Sequence, residues 1–193
     1  MSEKSTRKRC SWCQGSRLYR QYHDTEWGVP LTDDDALFRM LILEGQQAGL
    51  AWITILNKRA HMDEVFAKFD RRTLAQTSAA TITQWLQDSG LIRHKGKLEA
   101  LVNNAQCALQ ITDFAGWLWS FAAPAGRREP QVPAQTAESQ AMSKALKKAG
   151  FRFVGPTICY AFMQSAGMVN DHHPDCWRFN TCQRLVTRAL NAR

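Results

Sequence analysis

What this chain lacks narrows its possibilities first. Nowhere do about 18 apolar residues follow one another, so no membrane-spanning helix is expected. The opening MSEKSTRKRC is charged and no apolar region follows it, so it does not read as a secretory signal. Cytoplasmic residence is the simplest expectation. Sustained alternation of apolar and polar residues is missing too, and only the short stretch 151–154 reads as a strand. There is no internal repeat and no low-complexity tail. Neither H-E-x-x-H nor H-x-E with a Cys-x2-Cys partner occurs, which disfavours a hydrolytic metalloenzyme.

What is present is helical periodicity. The spacing predicts helices at about 33–47, 50–57, 59–69, 79–89, 96–111, 114–121, 139–149, 157–166 and 174–190. The fold class expected is therefore all-α, as one domain over 1–193. The stretch AAPAGRREPQVPAQTA, residues 122–137, reads as an exposed loop between helical sections. Apolar residues make up 45% and charged residues 22%, ordinary values for a globular protein, while the net charge is +8. That charge suits a polyanionic partner, although a solvated basic surface explains it equally well. Basic residues gather at Lys4/Arg7/Lys8/Arg9, Arg93/His94/Lys95/Lys97, Arg127/Arg128 and Lys144/Lys147/Lys148/Arg152.

One acid is out of place. In LILEGQQAGLAW, residues 41–52, Glu44 follows Leu37, Met40 and Leu41 at i+7, i+4 and i+3, so the apolar face of a helix ends in a carboxylate. It could cap neighbouring N–H groups, pair with Arg39 or Lys58, or line a pocket. Trp52 and Tyr22 could each be plain core, and Gly49 could simply break the helix.

Between the helices around Trp85 and Leu101 runs SGLIRHKGK, residues 89–97. Gly90 and Gly96 bracket a short apolar-then-basic turn, and Gly96 opens a helix. Free N–H groups there, with Arg93, Lys95 and Lys97, suit a phosphate. This is the physical content of a helix–hairpin–helix grip on a DNA backbone; an ordinary helix–helix turn with solvated charges is the alternative.

Six Cys in an apparently cytosolic chain read as thiols or metal ligands. Cys10 and His23 lie near one end, and His172, His173, Cys176 and Cys182 near the other. Two soft ligands from each end would make a closed tetrahedral zinc site, structural because no position is left for water. Cys10-x2-Cys13 offers a rival ligand pair, and spacing does not choose among these candidates. Asp171 could orient a metal-bound imidazole or cap the next helix.

With CSW at residues 10–12, YHDTEWGVP at 22–30, LEGQQAGLAW, GLIRHKGK, FRFVGPTICY at 151–160 and NDH at 170–172 taken together, the chain resembles the type I 3-methyladenine DNA glycosylases. The matches run in order from Cys10 to Cys176. The resemblance implies an all-α helix–hairpin–helix glycosylase fold and DNA as partner, here double-stranded alkylated DNA; a monomer is the expected state. It implies structural zinc on Cys10, His23, His172 and Cys176, joining the N- and C-terminal regions. The base would be recognised at Tyr22, Glu44 and Trp52. Gly49 and Leu50 would press into the gap left by the flipped base, while Gly90, Arg93, Lys95, Gly96 and Lys97 would hold the backbone. The role of the catalytic Asp that the wider superfamily places downstream of the hairpin looks vacant here, since the region just after Lys97 offers only Glu99, then Asp113 in an expected turn.

Chemistry gives Glu44 a role consistent with this. Methylation at N3 makes adenine cationic, so its glycosidic bond is already weak and the base leaves neutral. Extrusion and selection matter more than acid catalysis. A half-buried carboxylate pairs with the charged base, whereas ordinary adenine leaves it desolvated and unpaired. No lysine nucleophile is evident, so hydrolysis without lyase activity is expected. The rivals are a glycosylase for another altered base and a non-catalytic zinc-stapled DNA-binding module.

Overall fold

The computed structural model describes residues 7–122 and 132–192, and among these every regular element is helical. In chain order they are α1 (Arg17–Thr25), α2 (Asp34–Gln47), α3 (Trp52–Val65), α4 (Arg71–Ala75), α5 (Ala79–Trp85), α6 (Lys95–Ala108), α7 (Phe114–Trp119), α8 (Ala137–Lys148), α9 (Pro156–Ser165) and α10 (Phe179–Asn191). The basic pair Arg127/Arg128, the residue Lys4 and most of the expected 122–137 loop lie outside the described residues.

α2 is the centre of the molecule, packing against α3, α6, α7 and α9. Asp33 starts it by accepting the N–H groups of Asp35 and Ala36, and Asp34 and Asp35 place negative charge on the first turn, where the helix dipole favours it. From Leu37 to Gln46 nearly every side chain is then buried, as a helix enclosed on all sides requires. Full burial of one such Leu contributes about 1.5–3 kcal/mol. Arg39 ties α2 to α3 through a two-pronged pair with Asp63 at 2.6 and 2.7 Å.

The elements differ from the pattern reading in four places. The stretches 50–57 and 59–69 are mostly one helix, α3, because Lys58 is a good helix former and sends its ammonium to the Ser89 carbonyl at 2.6 Å. α1 and α4 are not among the expected helices: α1 is mostly polar, with its apolar face limited to Leu18, Tyr19 and Tyr22, and α4 spans only five residues. The last helix begins at Phe179, not at 174. Residues 151–154 form no strand: Phe153 has φ +57°, and the Asn104 side chain makes both hydrogen bonds to the Arg152 backbone (2.8 and 2.9 Å), the pairing a neighbouring strand would supply.

The connector between α5 and α6 is held from outside. His61 of α3 pairs with Asp88 at 2.7 Å, and Asp88 accepts the Gly90 N–H at 2.7 Å. A Cβ on Gly90 would lie 2.3 Å from the His61 ring, so a larger residue would have to push that ring off Asp88.

Candidate active site and metal centre

One cavity of about 1070 Å³ opens beside the buried end of α2. Four helices contribute to it. α2 supplies Glu44, the start of α3 supplies Trp52, and α1 supplies Tyr19 and Tyr22; α9 closes the far side with Gln164 and Ser165. Glu44 and Trp52 are brought together by the turn between α2 and α3. Gly49 makes that turn at φ +75°, a conformation open to glycine, and Leu50 beside it stands exposed at 38%.

Glu44 is 3% exposed. Arg39 is taken by Asp63 and Lys58 by Ser89, so neither partner considered from the sequence reaches it. Its carboxylate instead accepts the Ser165 hydroxyl at 2.5 Å, and Ser165 accepts the Tyr22 hydroxyl at 3.1 Å. Burial pushes the Glu44 carboxyl up to about 7, with the Ser165 bond pulling against it. The Tyr22 phenol is also raised, by its own burial and by the Glu44 charge. Trp52 lies against Tyr22 with ring centroids 5.5 Å apart, and its indole N–H is buried with no protein acceptor. Arg59, clamped on Glu26 at 2.6 Å, stands 5.9 Å from the Tyr22 ring.

Sequence reasoning missed Ser165 and Tyr19, while Trp12, read as core or pocket wall, lines the cavity. Tyr19 faces the cavity three residues before Tyr22 and accepts the Ile53 N–H at 3.1 Å, which starts α3. Its i, i+3 spacing with Tyr22 was the available signal. Trp12 packs edge-on to Trp27 and Tyr19.

Behind one cavity wall, Cys10, His23, His172 and Cys176 are all buried, with their ligand atoms within 4.8 Å of one another. The ring nitrogens are sorted by their partners. His23 Nδ1 lies 2.8 Å from Asp24 Oδ1 and must donate to it, leaving Nε2 facing the Cys176 sulfur at 3.3 Å. His172 Nε2 donates to the Trp27 carbonyl at 3.1 Å, leaving Nδ1 near both sulfurs at 3.6 and 3.7 Å. Two thiols and two free imidazole nitrogens in one buried cluster fit a tetrahedral soft metal ion. Burial raises the Cys10 thiol and lowers the His172 imidazole to about 4. Asp24 opposes its own burial through hydrogen bonds from Arg9 and His23, which bring it down to about 2. The rivals lie elsewhere: Cys13 donates to the Cys10 carbonyl, Cys182 stands outside the cluster, and the His173 ring is exposed. Asp171 does not orient an imidazole; it accepts from Tyr160 and Gln164 at 2.6 and 2.8 Å.

Of the residues expected on the DNA side, Gly49 and Leu50 are exposed at their turn, and Arg93 and Lys95 are exposed at the start of α6, with Gly90 and Gly96 partly covered. Lys95 also reaches Glu99 at 3.7 Å. His94 caps α6 by accepting the Lys97 N–H. Lys97 departs from expectation. It is 5% exposed, and its ammonium turns inward to the carbonyls of Gln46 and Ala48, both at 2.7 Å, so it is not on the phosphate side. The reason is the C-terminus of α2, whose carbonyls have no helical partners and attract a cation.

This all-helical frame, with an acid and aromatics around one cavity, has known counterparts: residues 12–179 match the methyladenine glycosylase family, and the chain belongs to it, among the type I members. It is 46% identical to DNA-3-methyladenine glycosylase 1 of Escherichia coli over 182 residues, 88% of this chain and 95% of that one. It is 48% identical to the DNA-3-methyladenine glycosylase of Haemophilus influenzae over 177 residues, 87% and 96% of the two chains. A crystal structure of 3-methyladenine DNA glycosylase I superposes with a TM-score of 0.85 at 45% identity, covering 88% of this chain and 98% of that chain. Among the described residues no helix is long and apolar enough to cross a membrane.

Proposed function

We propose that this enzyme hydrolyses the N-glycosyl bond of 3-methyladenine in alkylated double-stranded DNA, the first step of base-excision repair. The observation that carries the reading is Glu44: a buried carboxylate in an aromatic cavity, hydrogen-bonded to Ser165, with no ion-pair partner among the described residues. Such a group lacks a counter-charge, and a cationic base supplies one. An opposite charge arriving beside it favours the ionised form, so the entering base and the carboxylate stabilise each other. Ordinary adenine brings no charge and leaves Glu44 poorly paired. Trp52 and Tyr22 take the flipped base between aromatic faces, where a cation gains about 0.5–2 kcal/mol.

The bond between C1′ and the base nitrogen breaks with its electron pair on the base, which departs neutral. The sugar carbon, left cationic, takes up a water that releases its proton to solvent. Glu44 holds the base in place and stabilises positive charge while the bond lengthens. With no lysine nucleophile assigned, the strand is left with an abasic site.

DNA would be held by the α5–α6 connector acting as a helix–hairpin–helix grip, through Gly90, Arg93, Lys95 and Gly96, with Gly49 and Leu50 filling the gap in the stack. Cys10, His23, His172 and Cys176 would hold one zinc ion, which supplies folding stability and no reaction chemistry because its four-ligand shell is closed. The protein is read as a cytoplasmic monomer working as one domain. The test is base release from methylated duplex DNA, resolved by chromatography. Wild type is expected to release 3-methyladenine and Glu44→Gln to lose that release while still binding undamaged duplex. DNA binding without release by wild type would overturn the reaction.

A further inference from the structure

Lys97 is a buried ammonium with no carboxylate partner among the described residues, an expensive arrangement that the reaction above does not use. It sits in the first turn of α6, directly after the connector that would grip phosphate. Its two acceptors, the carbonyls of Gln46 and Ala48, lie at the end of α2, two and four residues past Glu44. The contact is reciprocal, since the Gln46 side chain donates back to the Lys97 carbonyl at 3.2 Å. Beyond Ala48 the turn is closed on itself: Leu50 N–H reaches the Gln47 carbonyl at 2.7 Å, and the Gln47 side chain reaches the Leu50 carbonyl at 2.9 Å. Gly49 and Leu50 therefore form a small closed unit, and among the described residues its one charged tie to α6 is Lys97, through the carbonyls of Gln46 and Ala48 just before it.

We infer that Lys97 is a positioning residue that fixes the Gly49–Leu50 turn relative to the α5–α6 connector, setting the register between the place where the backbone is held and the place where the base leaves the stack. This rests on the proposed reaction. Lys97 touches neither base nor phosphate; it acts through the turn. Without the ammonium, the carbonyls of Gln46 and Ala48 turn to water and the turn shifts, while Glu44, Ser165 and Tyr22 keep their own hydrogen bonds. Misplacement by about 1 Å costs reactions of this kind roughly 100-fold.

The test compares Lys97→Met with wild type by two readouts. Single-turnover base release from saturating methylated duplex should fall roughly 10- to 100-fold. The dissociation constant for free 3-methyladenine, followed by tryptophan fluorescence, should stay within about twofold, because the pocket itself is untouched. Gly49→Ala, which strains the same turn at φ +75°, should give the same split, and the double variant should be less than additive. Wild-type release in Lys97→Met, or loss of free-base affinity in step with release, overturns the inference. If Lys97→Met does not fold, Lys97→Arg keeps the charge but is longer and planar, and must show the same split; normal release from it would assign Lys97 to folding alone. Absence of release from wild type would instead sink the reaction on which the inference rests.

Discussion

Glu44 should make the folded protein lose stability as pH rises, the reverse of most paired carboxylates. In the folded chain burial holds its proton up to about pH 7, whereas an unfolded glutamate releases it near an ordinary 4.5. Between those values the folded state binds more protons than the unfolded one, so stability falls with rising pH, by about 1.4 kcal/mol per pH unit. Across the window this amounts to about 3 kcal/mol, or about 6–12 °C in melting temperature for a chain of this size. Glu44→Gln abolishes the titration while leaving an amide oxygen to accept from Ser165. Other groups titrate in both proteins, so the difference between the two curves isolates Glu44. Thermal or urea unfolding of both, from pH 4.5 to 8, should show the variant gaining on wild type steadily until about pH 7 and then running parallel. A flat difference would refute the claim that the carboxylate is stored uncompensated. Catalysis reports the same proton with opposite sign: free-enzyme kcat/KM should fall about tenfold per pH unit below about 7.

Removing the hydroxyl in Ser165→Ala leaves Glu44 and Tyr22 short of a partner each; release should drop about tenfold, and the acidic limb of the pH profile should move to higher pH, because that hydroxyl holds the Glu44 carboxyl down. An unmoved limb would count against the relay. Asp24→Asn should speed metal loss to a chelator about 10- to 100-fold by freeing the His23 ring, as measured with a colorimetric zinc indicator. Unchanged loss would show that Asp24 orients nothing. Arg93→Ala should weaken duplex binding evenly across sequences and reduce the slope of log affinity against log salt by about one, with free 3-methyladenine binding unaffected. An unchanged slope would take Arg93 off the phosphates.

The sequence was most legible where one local pattern dominated. The period of α2 and its closing carboxylate could be read directly because burial on all sides leaves a dense apolar record. α1 left a fainter one: Arg17, Arg20 and Gln21 face solvent, its apolar face is only Leu18, Tyr19 and Tyr22, and the partners that bury Tyr22 and His23 are remote in sequence. Ser165 was invisible for a similar reason, since a serine near the end of a helix acquires meaning when Glu44, 121 residues away, packs against it. Lys97 was misread because a basic residue at a helix start looks solvated until the free carbonyl end of another helix is found beside it. For the cluster that could hold a metal, spacing left the candidates open, the family resemblance implied Cys10, His23, His172 and Cys176, and those four lie together in the fold.

The nearness of Glu44 to Trp52 along the chain has a consequence for how such an enzyme can diversify. The floor and one wall of the cavity are encoded in a single short run joined by the Gly49 turn, while the basic surface at Arg93 and Lys95 is encoded far downstream. On the proposed reading, choice of base and hold on the backbone are encoded largely apart, meeting at Gly49 and Leu50. Substitutions in the run outside that turn would retune the cavity while leaving Arg93 and Lys95 in place, and changes at Arg93 or Lys95 would alter affinity without changing which base is accepted. Altering the length of the run is different, because an added residue would move the tryptophan wall away from the acid floor while both remained intact.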